Sequence, residues 1–480
     1  MTFKIYLQKI EETLQNKKQI LILFPEIFSV QIWKNRFEGV LPESCTLYHP
    51  GLAPKTLRET ENFIAHGTAK VILATRGGLF LNFKNLDTII VHDEHDSSYK
   101  QENHLRYHVN YHAVDVAVYF AETQKIKLFL SSKSPRLETK LNYSKYLINQ
   151  SVSSPHQVDL VDLKKEDGGN RLFSKPLQEA VKKTLQQQKQ IILFHNRRGL
   201  ARALVCLDCH TRFSCPNCSV ALVLHQNDIL KCHACLFEMP SPSQCPKCQS
   251  PKLKKQGAGT EKIEKELKRF FKDVKILRLD KDVVTKKSLE KKILDQFNQG
   301  EAQILLGTQM LLKEYDFKNV GLVAVLNADT DLYLPDFRSN EKTFARLTDL
   351  IDLAGSSAQV VIQTYQIDQR AIQLAVKGDY ETFYEEELVQ RKALDFPPYT
   401  ALIKIVAKHK EESKTHQLAQ SILEFVSAKQ ILGPVEAPMA KLKGKFRVMI
   451  ILKNGKVNLQ KIPSKLLKEI EIDVDPQNLL

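Results

Sequence analysis

Eight of the nine cysteines fall between Cys206 and Cys248 as four Cys-x-x-Cys pairs: Cys206/Cys209, Cys215/Cys218, Cys232/Cys235 and Cys245/Cys248. Two thiolates two residues apart can bite one ion, because a tight turn brings both sulfurs within ~2.3 Å of it. Four pairs supply eight ligands, which suffices for two closed tetrahedral sites of four thiolates each. A closed site has no open coordination position, so it holds structure rather than activating water. The expectation is two zinc ions, and metal-driven folding of such a segment is worth ~10–16 kcal/mol in peptides. Free or disulfide-paired thiols leave the doubled spacing unexplained; an iron–sulfur cluster is the alternative. Spacing alone does not fix which pairs share an ion. A nested arrangement is geometrically natural: the inner pairs flank a hairpin in ALVLHQNDILKCHAC and the outer pairs clamp its base. The ninth cysteine, Cys45 in ESCTLYHP, reads as a plain buried thiol.

A second chemistry-bearing run is IIVHDEHDSSYKQ, Ile89 to Gln101. A strand that ends in consecutive carboxylates is a way to hold the magnesium of a bound nucleotide. Here the box reads His92-Asp93-Glu94-His95. Magnesium prefers hard carboxylate oxygen, so an imidazole at the first position is a poor substitute. A third run is KLKGKFRVMIILKNGKVNLQKIPSKLLK, Lys441 to Lys468, with nine Lys/Arg and no Asp or Glu. It is a candidate phosphate-contacting surface that includes Lys441, Lys443, Lys445 and Arg447. The plain alternative is a solvated face of a lysine-rich protein.

The formal charge of +15 points to a polyanionic partner. Eight thiolates contribute −8 and two divalent ions +4, so zinc loading brings it to +11. From Arg197 to Lys262, ten basic and four acidic residues leave only +2 once the two zinc–thiolate sites are charged as −4, so any contact there must be local.

The elements that must position these groups can be read from periodicity. KQILILFP, AKVILAT, LDTIIVH and KIKLFLSS read as buried strands, separated by helical stretches such as IYLQKIEETLQ and HVNYHAVDVAVYFAE. That alternation predicts a parallel sheet covered by helices. Residues near 146 to 175 are polar and irregular and read as a connector. A second series follows: QIILFHN, VKILRLD, AQILLGT, VGLVAVLNAD and AQVVIQTY. The cysteine block is inserted between its first strand and the helix TEKIEKELKRFF. From about Thr400, ALIKIVAKH, a helix near 411–428, RVMIILK, a helix near 458–467 and IEIDVDP suggest a small α+β domain. Trp33, in VQIWKNRF, is expected in a core. The apolar run Ile20 to Phe24 is far short of the ~20 residues a membrane span needs. The N-terminus has no small-residue cleavage site. No membrane association and a cytoplasmic location are expected.

These residues carry a resemblance. FPEI at Phe24, ATRGGLF at Ala74, DEHDSSYKQ at Asp93, FHNRRGLA at Phe194, the cysteine block, GAGTEKIEKEL at Gly257, ILLGTQMLLKEYDFKNV at Ile304, NADTDLYLPDFR at Asn327, YEEEL at Tyr384, FPPY at Phe396, LGPVEAPMAKLKGKFR and DVDPQNLL resemble the PriA family of replication-restart primosome helicases, and the match runs through nearly the whole chain. The resemblance implies an α/β fold with two RecA-like parallel-sheet lobes of superfamily 2 helicase type, a zinc insertion in the second lobe and a small α+β C-terminal domain. The implied ranges are 1–150 for a first lobe with a truncated start and no P-loop, 151–201 for the linker and start of lobe 2, 202–254 for the two-zinc module, 255–398 for the rest of lobe 2, and 399–480 for the C-terminal domain. It also implies the nested zinc pairing: Cys206, Cys209, Cys245 and Cys248 on one ion, and Cys215, Cys218, Cys232 and Cys235 on the other. Arg197, Arg198, Lys313 and Arg338 sit in family-like segments and are candidate DNA contacts, each of which could equally be an ion-pair partner.

The departures from the family pattern bear on ATP. No G-x-x-x-x-G-K-[ST] occurs in the sequence. The family's Asp-Glu-Glu-His box is His92-Asp93-Glu94-His95, its Ser-Ala-Thr box is Ser132-Lys133-Ser134, and its Lys-Gly-His-Asp-Phe stretch is Lys313-Glu314-Tyr315-Asp316-Phe317. Leu353 and Ser356 stand where two arginine-finger positions would be, and losing one such arginine costs ~10³–10⁵ in rate. No catalytic residue is therefore assigned, and neither ATP nor magnesium is expected as a cofactor. The expected function is binding of forked or single-stranded DNA and primosome assembly without unwinding, with primosome proteins and single-strand-binding protein as partners implied by the family. Two alternatives stand beside it: an active ATP-dependent 3′-to-5′ helicase whose upstream part lies outside this sequence, and a primosome scaffold with no DNA affinity.

Overall fold

The computed structural model describes residues 2–479 apart from 42–44, 102–109, 150–156, 167–171, 197–203, 210, 212, 217–221, 225–227, 233–236, 256–259, 272–273, 281–282, 285–286, 313–314, 316, 335, 356 and 443. The chain divides into two compact units, residues 1–152 and 153–480, each taken by itself below.

The first unit runs α1 (Thr2–Gln15), β1 (Gln19–Leu23), α2 (Ile27–Phe37), β2 (Cys45–Tyr48), α3 (Pro54–His66), β3 (Val71–Ala74), β4 (Leu86–His92), α4 (Ala113–Gln124), β5 (Lys127–Ser132), α5 (Leu137–Tyr143) and β6 (Leu147–Asn149). The sheet order is β2-β3-β1-β4-β5-β6, and every pair is parallel. All five residues of β1 are buried, as a strand covered on both faces must be. The two-residue period sorts their side chains. Leu21 and Leu23 join Ile72, Ile89, Val91 and Leu128 beneath α3 and α4. Ile20 and Ile22 join Val71, Leu73 and Ile90 against Tyr6 and Ile10 of α1 and Trp33 and Phe37 of α2. Trp33 thus lies in the core, as expected. Gly78, in the ATRGGLF segment, has no room for a side chain, because a Cβ there would come within 2.5 Å of the Ala74 Cβ.

The second unit contains another parallel sheet. Its strands are β7 (Val158–Asp162), β8 (Gln190–Phe194), β14 (Ile276–Leu279), β15 (Ile304–Gly307), β16 (Val320–Val325) and β17 (Gln359–Thr364), in the order β14-β15-β8-β16-β17-β7. The helices are α6 (Lys175–Gln186), α7 (Thr260–Phe270), α8 (Lys287–Asn298), α9 (Ser339–Leu353), α10 (Arg370–Lys377) and α11 (Tyr380–Ala393). Between β8 and α7 lies the cysteine segment: β9 (Leu204–Cys206), β10 (Val223–Leu224), β11 (Ile229–Lys231), β12 (Glu238–Pro240) and β13 (Leu253–Lys255). After α11 come β18 (Leu402–His409), α12 (Glu412–Ile422), β19 (Val426–Leu442), β20 (Lys445–Val457), α13 (Ser464–Leu467) and β21 (Ile470–Val474), an antiparallel sheet ordered β19-β20-β18-β21.

That last sheet is covered on both faces. Ile403, Ile405, Val448, Ile450 and Leu452 pack on α12. Leu402, Val406, Met449 and Ile451 pack on Phe213, Leu222, Leu224 and Leu230 of the cysteine segment and on Phe337 and Phe396.

Four expectations need correction. The connector contains β7, an edge strand that completes the second sheet against β17; its VDLVD is short, and its two acids, three apart, break the period-two alternation that marks a strand. Of the helix expected from His108, residues 110–112 lie before α4, which starts at Ala113 with His112 as its cap; His108 and Val109 lie outside the described residues. The expected helix near 458–467 is reduced to Ser464–Leu467, and the one near 411–428 gives way to β19 at Val426. β19 itself is the longest strand among the described residues, and periodicity misses it because Gly433, Pro434 and Pro438 interrupt it. It tolerates them as an edge strand with register shifts at 432–435 and 436–441. Gly433 sits at φ 98°, and a Cβ there would lie 2.5 Å from the Met449 carbonyl oxygen.

Candidate metal centre and the acidic box

The outer cysteine pairs meet on two tight turns. Strands β9 and β13 pair antiparallel with Cys206 opposite Leu253, which brings both ends of the segment together. The Cys206 amide donates to the Thr211 carbonyl at 3.1 Å, and the Cys245 amide to the Ser250 carbonyl at 2.8 Å, closing one turn around each pair. The sulfurs of Cys206, Cys209, Cys245 and Cys248 all lie within 4.8 Å of one another, with Cys206–Cys248 and Cys209–Cys245 at 3.5 Å. Four sulfurs ~2.3 Å from one tetrahedral ion stand about 3.8 Å apart, so this donor set fits zinc. Burial opposes charge on Cys209, but the Thr211 hydroxyl 3.2 Å away, the Thr211 backbone and neighbouring thiols bring it down to about 6. Asp208 braces the turns by accepting from the Ser250 hydroxyl at 2.7 Å and pairing with Lys252 at 3.4 Å.

The inner pairs flank the hairpin of β10 and β11, where Val223 faces Lys231. Cys215 and Cys232 are buried, and the Cys232 amide donates to the Phe237 carbonyl at 2.8 Å. Cys218 and Cys235 lie outside the described residues.

The acidic box sits at the C-terminal ends of β4 and β5, where open parallel sheets place their sites. Its side chains are engaged with the protein. His92 is 2% exposed and is packed by Trp33, Phe24 and Tyr6, with ring centroids 5.0, 5.4 and 5.7 Å away. Its Nδ1 shares a 2.7 Å hydrogen bond with the Tyr6 hydroxyl, and its Nε2 lies 3.3 Å from the Asp93 carboxylate. Asp93 takes a left-handed backbone, φ 49°, at the turn out of the strand. Glu94 is wholly buried. It accepts from the Arg136 amide at 2.8 Å, the Arg136 Nε at 3.3 Å and the Thr139 hydroxyl at 2.8 Å. His95 Nδ1 shares 2.7 Å with the hydroxyl of Ser132, which ties the box to the Ser132-Lys133-Ser134 stretch. The Tyr99 hydroxyl donates to the His92 and Leu23 carbonyls, and burial followed by the neighbouring Asp93 and Asp96 charges holds it well above the ordinary tyrosine range.

Sequence reasoning missed Tyr6, Arg136 and Thr139, because these partners lie 42 to 86 positions from the box. Tyr99 did stand inside the run that was singled out.

The carboxylates of NADTDLYLPDFR are likewise structural. Asp329 accepts from the Thr364 hydroxyl at 2.5 Å and the Tyr365 amide at 2.7 Å. Asp331 holds Asn196 at 2.7 Å and Arg346 at 2.5 Å. Arg338, expected as a DNA contact, is instead 5% exposed, paired with Glu341 at 3.2 Å and stacked on Phe337. Glu341 also takes Arg391 at 2.8 Å, and Arg391 pairs with Glu387 at 3.1 Å. Arg197, Arg198 and Lys313 lie outside the described residues, as does Ser356.

The basic run is split by strand parity. Arg447 shares a face of β20 with Met449 and Ile451 and is 6% exposed, and burial pulls its pKa down against the opposing effect of Glu471. It is not a surface phosphate contact. Lys453 is also buried, over the Phe396 ring. Lys441 and Lys445 are exposed at the β19–β20 turn, and Lys456, Lys461, Lys465 and Lys468 are exposed beyond it. Lys443 lies outside the described residues. Cys45 is half-buried on edge strand β2 rather than fully buried, and desolvation lifts its thiol to about 11. Among the described residues no helix is long and apolar enough to cross a membrane.

Comparison with known proteins adds the ancestry. A family model described as the PriA DNA helicase Cys-rich region domain matches residues 215–240, the inner part of the zinc segment. One described as the primosomal protein N C-terminal domain matches residues 392–477. The chain is 35% identical to Replication restart protein PriA of Bacillus subtilis, over 99% of this chain and 61% of that protein. It is 34% identical to the proteins of the same name from Haemophilus influenzae and Rickettsia felis, over 99% of this chain and 68% and 76% of theirs. The chain thus spans about three fifths of the Bacillus relative's length. Identity of this level across the whole chain, with the cysteine-rich and C-terminal segments each matched in its own right, makes this chain a zinc-binding member of the replication restart protein PriA family.

Proposed function

We propose that this chain binds forked or single-stranded DNA and supports assembly of a restart primosome without turning over ATP. The observation that carries the reading is His92. The position from which the family's box would offer magnesium a carboxylate is an imidazole packed among three aromatic rings and bonded to Tyr6. Glu94 gives both its oxygens to Arg136 and Thr139, and Leu353 stands at an arginine-finger position. Two zinc ions hold the cysteine segment in the nested pairing, Cys206, Cys209, Cys245 and Cys248 on one and Cys215, Cys218, Cys232 and Cys235 on the other. DNA affinity comes from phosphate contacts by exposed lysines, Lys441 and Lys445 at the β19–β20 turn first, with Arg197, Arg198, Lys313 and Lys443 as further contacts. Primosome proteins and single-strand-binding protein are the partners the family suggests.

The test is a phosphate-release assay with forked DNA beside an anisotropy titration over a range of salt. The expected result is no DNA-stimulated release and an affinity that falls with salt. Helicase-like release overturns the reading in favour of a working motor. Absence of DNA affinity overturns it in favour of a purely protein-binding scaffold.

A further inference from the structure

We propose that Glu412, His416 and Glu436 form a further metal site, outside the cysteine segment, for a divalent transition ion of the manganese-to-zinc series. One ligand atom from each of these residues lies within 4.8 Å of the other two. Glu412 and His416 are four apart on α12, so they share one face, one turn apart. The adjoining face of that helix, Thr415, Leu418, Ala419 and Ile422, is buried and packs the helix on the sheet, so Glu412 and His416 stand at the edge of the contact, within reach of Glu436. Glu436 comes from β19, opposite Val448 of β20, and is half-buried. The three donors therefore stand on a helix and a paired strand rather than on a loop, which positions them more precisely.

The donor set selects the ion. Two carboxylates and one imidazole suit manganese, cobalt, nickel or zinc, whereas an all-oxygen set would suit magnesium or calcium. Three protein ligands leave coordination positions for water, so the ion exchanges more readily than one held in a closed thiolate cage. Bound there, it neutralises the repulsion between Glu412 and Glu436 and staples α12 to the edge strand.

The full chain with zinc in its cysteine sites is dialysed against nickel at about pH 7.5, a pH at which an ordinary imidazole is neutral, and nickel and zinc are both counted by elemental mass spectrometry. One nickel per chain is expected, with zinc unchanged. H416A and E436Q should each lose about tenfold or more in nickel affinity, a scale already reached when outer partners of metal sites are removed. H66A, which removes an exposed histidine of the first unit, should bind as the unaltered chain does. The proposal is overturned if no nickel is taken up at free concentrations to about 0.1 mM, the weak end of protein cation sites. Uptake only in exchange for zinc, or equal uptake by H416A, overturns it as well. No DNA or nucleotide enters this measurement, so its outcome is independent of the function proposed above.

Discussion

A carboxylate returned to position 92 would be buried against Tyr6, Phe24 and Trp33, away from water and without the imidazole's hydrogen bond to Tyr6. His92→Asp should therefore lower unfolding stability by about 2–4 kcal/mol, the scale of a buried polar group left short of partners. Denaturant unfolding checks this, and the variant should gain no DNA-stimulated ATP hydrolysis. Glu94→Ala should cost about 3–5 kcal/mol, because it removes the buried carboxylate partner of Arg136 and leaves that guanidinium only the more distant Asp115, 3.9 Å away. A loss below about 1 kcal/mol, the scale of an exposed pair, would mean that the pair does not hold the box. At Cys45, burial raises the thiol to about 11, with Lys34 acting weakly the other way. Its native-state alkylation should be slow at neutral pH and rise about tenfold per pH unit up to that value. Mass spectrometry of the labelled peptide checks it, and a free-thiol rate at neutral pH would refute it. Because the folded pKa lies above the ordinary 9.0, the linked contribution to stability is complete below pH 9 and is lost as pH rises through about 11.

At the scale of elements, the C-terminal sheet and the cysteine segment share a core. Phe213, Leu222, Leu224 and Leu230 come from the cysteine segment, and they cover the face of β18 and β20 that bears Leu402, Val406, Met449 and Ile451. Stripping zinc should uncover that face. Amide exchange in β18 and β20 should accelerate on chelation, while α12 on the opposite face responds less; unchanged exchange would show that the segment holds its shape without metal. Parity also divides the basic run. Lys445→Ala, at an exposed position, should weaken DNA binding and flatten its salt slope by up to about 0.9 for each duplex phosphate the lysine neutralised. Arg447→Met should leave DNA binding unchanged, because that side chain is buried, 6% exposed. The two strands that periodicity missed have physical excuses: β7 is a short edge strand whose two acids, Asp159 and Asp162, fall three apart and break the alternation, and β19 is an edge strand broken by proline and glycine.

Across the whole molecule, residues 1–152 and 153–480 each have their own core. Every cysteine expected to bind zinc lies in the second unit. Chelation should lower the unfolding midpoint of that unit and leave the first in place, which tryptophan fluorescence can follow because the single Trp33 reports the first unit alone. A shift of the Trp33 transition on chelation would refute this. What the order of residues determined by itself is what local chemistry and period can carry: the four Cys-x-x-Cys pairs, the two series of buried parallel strands, and the family, whose motifs are short and contiguous. What only the tertiary structure decided is how each polar group is spent. The period of a strand places Arg447 on one face but does not say that a metal-binding segment covers that face. The text His92-Asp93-Glu94-His95 does not say that Tyr6, Arg136 and Thr139, 42 to 86 positions away, hold it closed. Burial and pairing depend on contacts between residues distant in the chain, and those exist only once the sheet has assembled.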